Sequence, residues 1–169
     1  VIITQALLQV RSNMLDDVAI EYDGLLAAQE ETITLWLHEK YRQINTLNSV
    51  AARPDALQFL ELAQKSGDFF VTYLGFADGK SIFSDGWDAA KEDPTYKVIE
   101  RDWYVLAAKE KRAVITPPYV DADTKKLMLT VAAPHIENGS LKGVAAGDIM
   151  VTDLVKIVLS QPVRGGGYF

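Results

Sequence analysis

The chain has 169 residues, 49% of them apolar and 24% charged, the balance of one soluble globular domain with material for a core. Its net charge of −6, with no Lys/Arg cluster free of interspersed acids, argues against a nucleic-acid partner, because phosphate binding needs a basic surface. The lack of cysteine removes disulfides, thiolate catalysis and cysteine-ligated metals together.

Residues 1–50 read as one long scaffold helix. No proline interrupts its body, and apolar residues recur at steps of three and four: Ile3, Leu7, Val10, Met14, Val18, Tyr22 and Leu25, then Ile33, Trp36, Leu37, Tyr41, Ile44 and Leu47. Gly24 costs such a helix about 1 kcal/mol against Ala, so other contacts must hold it there. A long helix with a single apolar stripe predicts a second copy beside it, that is, a homodimer. No apolar run approaches the ~18–20 residues of a bilayer span, and Val1 opens no signal-peptide pattern. Both ends read as cut from a longer protein, with 161–169 a truncated tail.

Residues 54–160 carry a second pattern. Pro54 and Gly67 bracket a helix with Leu57, Phe59, Leu60 and Leu62 on its buried side. The period then shortens to that of strands, at 69–76 and 81–84, around the Asp78-Gly79 turn. A polar loop over 85–95 leads to a predicted helix from Tyr96 to about Lys109. Further strands are expected at 113–116, 127–133 and 141–149, separated by turns at 121–124 and 137–140, and a last helix at 154–160 ends before Pro162. The order predicts an α+β domain of PAS-like kind, a five-stranded antiparallel sheet flanked by helices, with the helices expected on one face.

Catalytic and metal motifs fail one by one. His38-Glu39 opens a zinc-type His-Glu-x-x-His pattern, but Arg42 stands where the second histidine belongs. His135 follows Pro134 and reads as a turn residue. No nucleophile elbow or phosphate loop is present, and Gly165-Gly166-Gly167 precedes no helix. Asp121, Asp123 and Glu137 have no calcium-loop spacing. The reading is therefore no enzyme, no metal and no cofactor.

Three separated segments hold the residues that suit a ligand. Tyr96, Arg101, Trp103 and Tyr104 combine apolar bodies with fixed donors, and the planar fork of Arg101 matches a carboxylate. Pro117-Pro118 holds an extended rim that presents Tyr119 and Asp121. Asp148 lies in a strand of small apolar residues, shares a face with Ala146 and Val144, and needs a cation or several donors when turned inward. Singly, Arg101 could pair internally with Asp121 or Asp148 and the rings could be core. Jointly, two acids, one Arg and four aromatics fit a pocket for a zwitterion.

This set, Tyr96-x4-Arg101-x-Trp103-Tyr104, Tyr119-x-Asp121 and Asp148, resembles the amino-acid-recognition motif of double Cache sensor domains, found above all in bacterial methyl-accepting chemotaxis receptors. The resemblance implies that Tyr96, Arg101 and Trp103 hold a ligand carboxylate, while Tyr104, Tyr119, Asp121 and Asp148 hold its ammonium. It further implies an extracytoplasmic (periplasmic) sensor of L-α-amino acids on a membrane-anchored receptor. The ligand side chain would meet residues of the 72–88 region. The same module could serve a histidine kinase or a cyclic-dinucleotide enzyme, and taurine, γ-aminobutyrate or another amine would use part of the same set. A purely structural dimerisation module is the rival from another class. A double Cache domain has a second, membrane-proximal module, of which only a first strand near Gly167-Tyr168-Phe169 would be present.

Overall fold

A computed structural model describes residues 30–121 and 124–159. The first half of the expected scaffold helix, with Ile3 to Leu25, and the tail 161–169 lie outside the described residues. Within them, helix α1 runs over 30–47 and buries Ile44 and Leu47. Helix α2, Ala56–Ser66, starts after Pro54, with Asp55 as its N-cap residue. Gly67 is its C-cap, but not through a left-handed backbone: its φ is −101°, and the positive φ falls on Asp68 at 47°. Glycine is required at 67 by close approach, since an added Cβ would collide with the Gln43 side chain of α1 and come within 2.5 Å of the Phe69 ring.

The sheet follows. Strands β1 (Val71–Phe76) and β2 (Ser81–Phe83) form the hairpin expected around Asp78-Gly79, with Gly79 at φ 90°. Strands β5 (Leu127–Glu137) and β6 (Ser140–Met150) are joined by Asn138-Gly139, both at positive φ, a two-residue hairpin turn. Between the hairpins lie short helix α3 (Ala89–Glu92), helix α4 (Asp102–Glu110) and two-residue strands β3 (Val114–Ile115) and β4 (Tyr119–Val120). The antiparallel sheet has the order β2-β1-β6-β5-β3, with β4 also on β5. β4 is the one strand the sequence did not suggest. Two prolines precede it, and a Pro-extended segment needs only two ladder positions to join an edge. Helix α5, Val151–Leu159, leaves directly from the end of β6.

Helices do not keep to one face of this sheet. α1 and α2 cover one side, where Ile44, Leu47, Ala56 and Leu60 pack on Leu74, Leu129, Val131 and Ile149. α4 covers the other, where Trp103, Tyr104 and Ala107 pack on Val71, Tyr73, Ala132, Val144 and Ala146. The reason lies in β1 and β6, which are apolar at successive positions: a strand buried on both sides needs two covering layers. The second layer is where the candidate site forms.

Candidate ligand-binding site

Register decides which side chains share the α4 face. Val71 pairs with Asp148, Tyr73 with Ala146, Thr130 with Asp148 and Ala132 with Ala146. Period-two alternation therefore sets Val71 and Tyr73 of β1, Thr130 and Ala132 of β5, and Val144, Ala146 and Asp148 of β6 on one surface. Ala132 and Ala146 are short and fully buried, so rings from β1 and α4 meet above them, Tyr73 against Trp103 at 4.9 Å between centroids.

Asp148 is the polar centre of this surface. Its Oδ1 accepts from the Tyr73 hydroxyl at 2.6 Å and from the Thr130 hydroxyl at 2.7 Å. The Tyr119 hydroxyl stands 3.2 Å from that of Thr130 and so adjoins the same cluster. Burial pushes the Asp148 carboxyl above the usual carboxylate range; the hydroxyls of Tyr73, Thr130 and Tyr119 oppose that shift, and the neighbouring charge of Asp121 adds to it. Burial likewise pushes up the Tyr73 and Tyr119 phenols, with the Asp148 charge adding in each case. The residue as a whole is only half-buried, so the desolvated carboxyl remains within a ligand's reach. No ion pair joins Asp148 to Arg101 among the described residues; several donors, not a cation, meet its need.

Asp121 stands in the turn after β4. Its Oδ1 accepts from the Thr124 N–H and hydroxyl, both at 2.7 Å, and its own N–H donates to the Lys126 carbonyl at 2.9 Å. Asp123, weighed above with Asp121 and Glu137, lies outside the described residues. Among those described, no cluster of three metal-ligating side chains exists.

The other end of the site is built differently from expectation. The predicted helix from Tyr96 starts only at Asp102. Asp93 accepts from the Thr95 N–H at 3.0 Å and hydroxyl at 2.6 Å, a local turn that competes with helix, and Pro94 reinforces it. Tyr96 therefore sits in a turn, Val98–Glu100 form one 3₁₀ turn, and Arg101 is extended at the N-cap of α4 with ψ 142°. The outcome still gathers the three residues. The Arg101 guanidinium lies 5.2 Å over the Tyr96 ring, and the Trp103 indole, a donor only, hydrogen-bonds to Tyr96. Burial raises the Tyr96 phenol, Arg101 lowers it, and the Asp148 charge raises it again, so both ends of the site act on one ring.

Tyr104 is placed otherwise. Its ring edge faces Gly75, where an added Cβ would stand 3.2 Å from it and 2.8 Å from Trp103. Gly75 pairs with Val144, four residues along β1 from the Val71–Asp148 pair, or roughly 13 Å at strand spacing. The structure thus brings Tyr96, Arg101 and Trp103 together, and Tyr119 with Asp148 beside Asp121, while Tyr104 packs in the core towards the hairpin.

Sequence reasoning missed Tyr73, Thr130, Phe83 and Trp87. Phe83 stacks on Tyr73 at 5.1 Å and meets Trp87 at 4.8 Å, and Trp87 meets Tyr96 at 4.9 Å, which carries the aromatic wall into the 72–88 region. Thr130, a lone hydroxyl in an apolar strand, was a readable signal once its pairing with Asp148 is known. A separate groove of about 240 Å³, lined by Asn48, Leu74, Phe76, His135 and Lys142 among others, opens at the end of the sheet where Gly143 pairs with Phe76, away from Asp148.

Residues 42–156, more than half of the chain, match the family of methyl-accepting chemotaxis protein-like first PDC sensor domains. The chain is 31% identical over 137 residues to methyl-accepting chemotaxis protein PctB of Pseudomonas aeruginosa, covering 79% of this chain and 21% of that protein. The solved PctB ligand-binding domain in complex with L-Gln aligns with a TM-score of 0.71 at 28% identity, over 85% of this chain and 60% of that one. That of PctC from the same organism, in complex with GABA, aligns with a TM-score of 0.67 at 30% identity, over 79% of this chain and 64% of that one. The chain spans a quarter or less of the curated relatives it matches.

Proposed function

This chain belongs to the family of methyl-accepting chemotaxis protein-like first PDC sensor domains, which are non-enzymatic ligand-binding modules, and on that premise we propose that it binds free L-α-amino acids. The observation that carries the reading is the Asp148 carboxyl. It is desolvated, held by hydroxyls rather than by a cation, and raised towards the neutral form by burial. An ammonium group arriving there supplies the missing positive charge in a site of low dielectric. The Arg101 guanidinium over Tyr96, with the Trp103 indole beside it, suits the carboxylate of the same ligand. Asp121 and Tyr119 complete the ammonium side, and the Phe83 and Trp87 rings, in contact with each other, are the apolar surface offered to the ligand side chain. Tyr104 acts by packing against the Trp103 ring.

The receptor is the larger part of the proposal. The domain sits outside the cytoplasm on a membrane-anchored methyl-accepting chemotaxis receptor, and ligand binding shifts a two-state equilibrium of its helices to the extent that one state binds better. No helix among the described residues is long and apolar enough to cross a membrane. Two copies associate through α1, on which Leu35 is 64% exposed.

The test is a calorimetric and thermal-shift screen with the twenty standard amino acids, taurine and γ-aminobutyrate. Saturation at ~100 times the dissociation constant stabilises the fold by about 2.7 kcal/mol. A response to standard amino acids supports the reading. A response to γ-aminobutyrate alone, the ligand in the PctC complex, replaces it with a sensor of longer zwitterions. Silence throughout overturns it in favour of a structural module.

A further inference from the structure

Two hydroxyls outside the seven-residue motif hold the carboxyl on which the proposed ammonium site depends. Ionised Asp148 can only accept hydrogen bonds, and a threonine hydroxyl has a single hydrogen. Thr130 spends that hydrogen on Asp148 Oδ1 at 2.7 Å, so in its 3.2 Å contact with Tyr119 the phenol must be the donor. Tyr73 donates to the same Oδ1 at 2.6 Å. The result is a directed chain, Tyr119 to Thr130 to Asp148, with Tyr73 closing on the end. Each link polarises the next towards the carboxylate. The Tyr119 oxygen then keeps its lone pairs for an incoming N–H.

Thr130 is tied into the rim as well as the floor. Its main-chain N–H donates to the Thr116 hydroxyl at 2.9 Å, and its carbonyl accepts from the Thr116 N–H at 2.9 Å. Thr116 is followed by Pro117, Pro118 and Tyr119, so one residue of β5 fixes both Asp148 and the segment that carries Tyr119 and Asp121. The Tyr119 hydroxyl is thereby held beside the Asp148 carboxyl, and the Asp121 charge lies near enough to act on it.

We infer that Tyr73 and Thr130 are positioning residues for ammonium recognition: their hydroxyls orient the Asp148 carboxyl and keep it ionised, so that the site selects ligands with a free amino group. The inference rests on the amino-acid reading above and deepens it. The titratable groups facing Asp148 are Tyr73 from β1, Tyr119 and Asp121 from the β4 rim, and Tyr96 with Arg101 against its ring. None of these supplies a cation in contact with Asp148, so hydroxyl donors carry the task. Without them a buried carboxyl takes up a proton, and a neutral acid no longer attracts an ammonium.

The experiment uses Tyr73→Phe, Thr130→Val and Thr130→Ser. The carboxyl carbon resonance of Asp148, assigned by its loss in Asp148→Asn, is titrated in the ligand-free domain. Binding of L-glutamine and of L-isoleucine is measured by calorimetry across a pH series, with thermal unfolding as the check that each variant is folded. The Asp148 midpoint is expected to rise in Tyr73→Phe and Thr130→Val and to return in Thr130→Ser. Affinity at neutral pH falls roughly ten- to hundredfold in the first two, and the pH below which binding declines moves up with the midpoint. An unmoved midpoint in both, or a loss of affinity equal at every pH, overturns the inference. Should Thr130→Val fail to fold, Tyr73→Phe decides. Wild-type domain that binds neither probe counts against the amino-acid reading, and the ligand-free titration still decides the roles of Tyr73 and Thr130.

Discussion

The two faces of the sheet use the same strands for opposite ends. On the α1–α2 face, Ile44, Leu60, Leu74, Val131 and Ile149 are aliphatic and buried, and the buried Thr72 hydroxyl is satisfied within the fold, donating to the Leu60 carbonyl at 2.7 Å. Even the buried Lys40 finds the Gly67 carbonyl and lies over the Trp36 and Phe69 rings. On the α4 face, rings and hydroxyls surround a carboxyl whose charge has no protein counter-ion in contact. Consecutive residues of β6 divide the labour. Asp148 faces the site, while Gly147 faces α1 so closely that a Cβ there would stand 2.7 Å from Ile44 and from Phe69. One face is an aliphatic core; the other is the face that we propose a ligand completes.

The largest expected effect breaks the second face. Asp148→Ala should cost binding about 3–5 kcal/mol, because the ligand ammonium then enters a dry site without a counter-charge; isothermal calorimetry measures it. Asp148→Asn should lose binding too, yet gain stability without ligand. Burial places the Asp148 pKa above its unfolded value, so its contribution to stability is present below the unfolded pKa and is lost as pH rises through the folded one. Above the folded pKa the ionised group is a penalty, and Asn removes it. A lower melting temperature for unliganded Asp148→Asn would contradict this account of the site.

Next comes the aliphatic face. Ile44→Ala removes a wholly buried side chain and should cost about 2–5 kcal/mol of unfolding free energy in urea titration. Ligand affinity should stay within about twofold, as additivity holds for groups without shared partners. A matching loss of affinity would show that the faces are coupled more tightly than their packing indicates.

How much of this was legible in the sequence follows the same division. The aliphatic face, both hairpins and the order of elements were readable, because period and turn chemistry act locally: Asp78-Gly79 and Asn138-Gly139 need no partner to announce a turn. Of the site, the Arg101, Trp103 and Tyr96 group and the inward turn of Asp148 were visible. Tyr73 and Thr130 were not, since their relation to Asp148 exists only through the pairing of β1 and β5 with β6. The helix expected from Tyr96 failed because the Asp93 turn satisfies backbone groups that a helix would have used. Tyr104 was grouped with the ammonium side; its contacts with Gly75 and the Trp103 ring arise from the packing of α4 on β1 and could not be read from the sequence.

A pH series sharpens the contrast at intermediate size. Binding needs ionised Asp148, whose ligand-free pKa is raised and whose ligand-bound pKa an adjacent ammonium lowers. Affinity should therefore be level above the ligand-free pKa and fall by about tenfold, or 1.4 kcal/mol, per pH unit below it. In Asp148→Asn the residual binding should show no such slope, and a slope that persists there would assign the titration to another group, Asp121 first.

The smallest expected effect concerns the two ends of the site itself. Arg101 is exposed, unlike the carboxyl of Asp148, and its guanidinium rests on the Tyr96 ring. Water therefore screens its attraction for a ligand carboxylate, and what distinguishes arginine there is its planar fork and its stacking. Arg101→Lys keeps the charge and loses both, so it should weaken binding by only about 1 kcal/mol, with a salt dependence like that of the wild type. Loss on the scale of Asp148→Ala would mean that Arg101 becomes buried when ligand is bound. The 85–101 segment, with Trp87 and Tyr96 against each other at 4.9 Å, would then close over the ligand, and reduced amide exchange in that segment on ligand addition would report it.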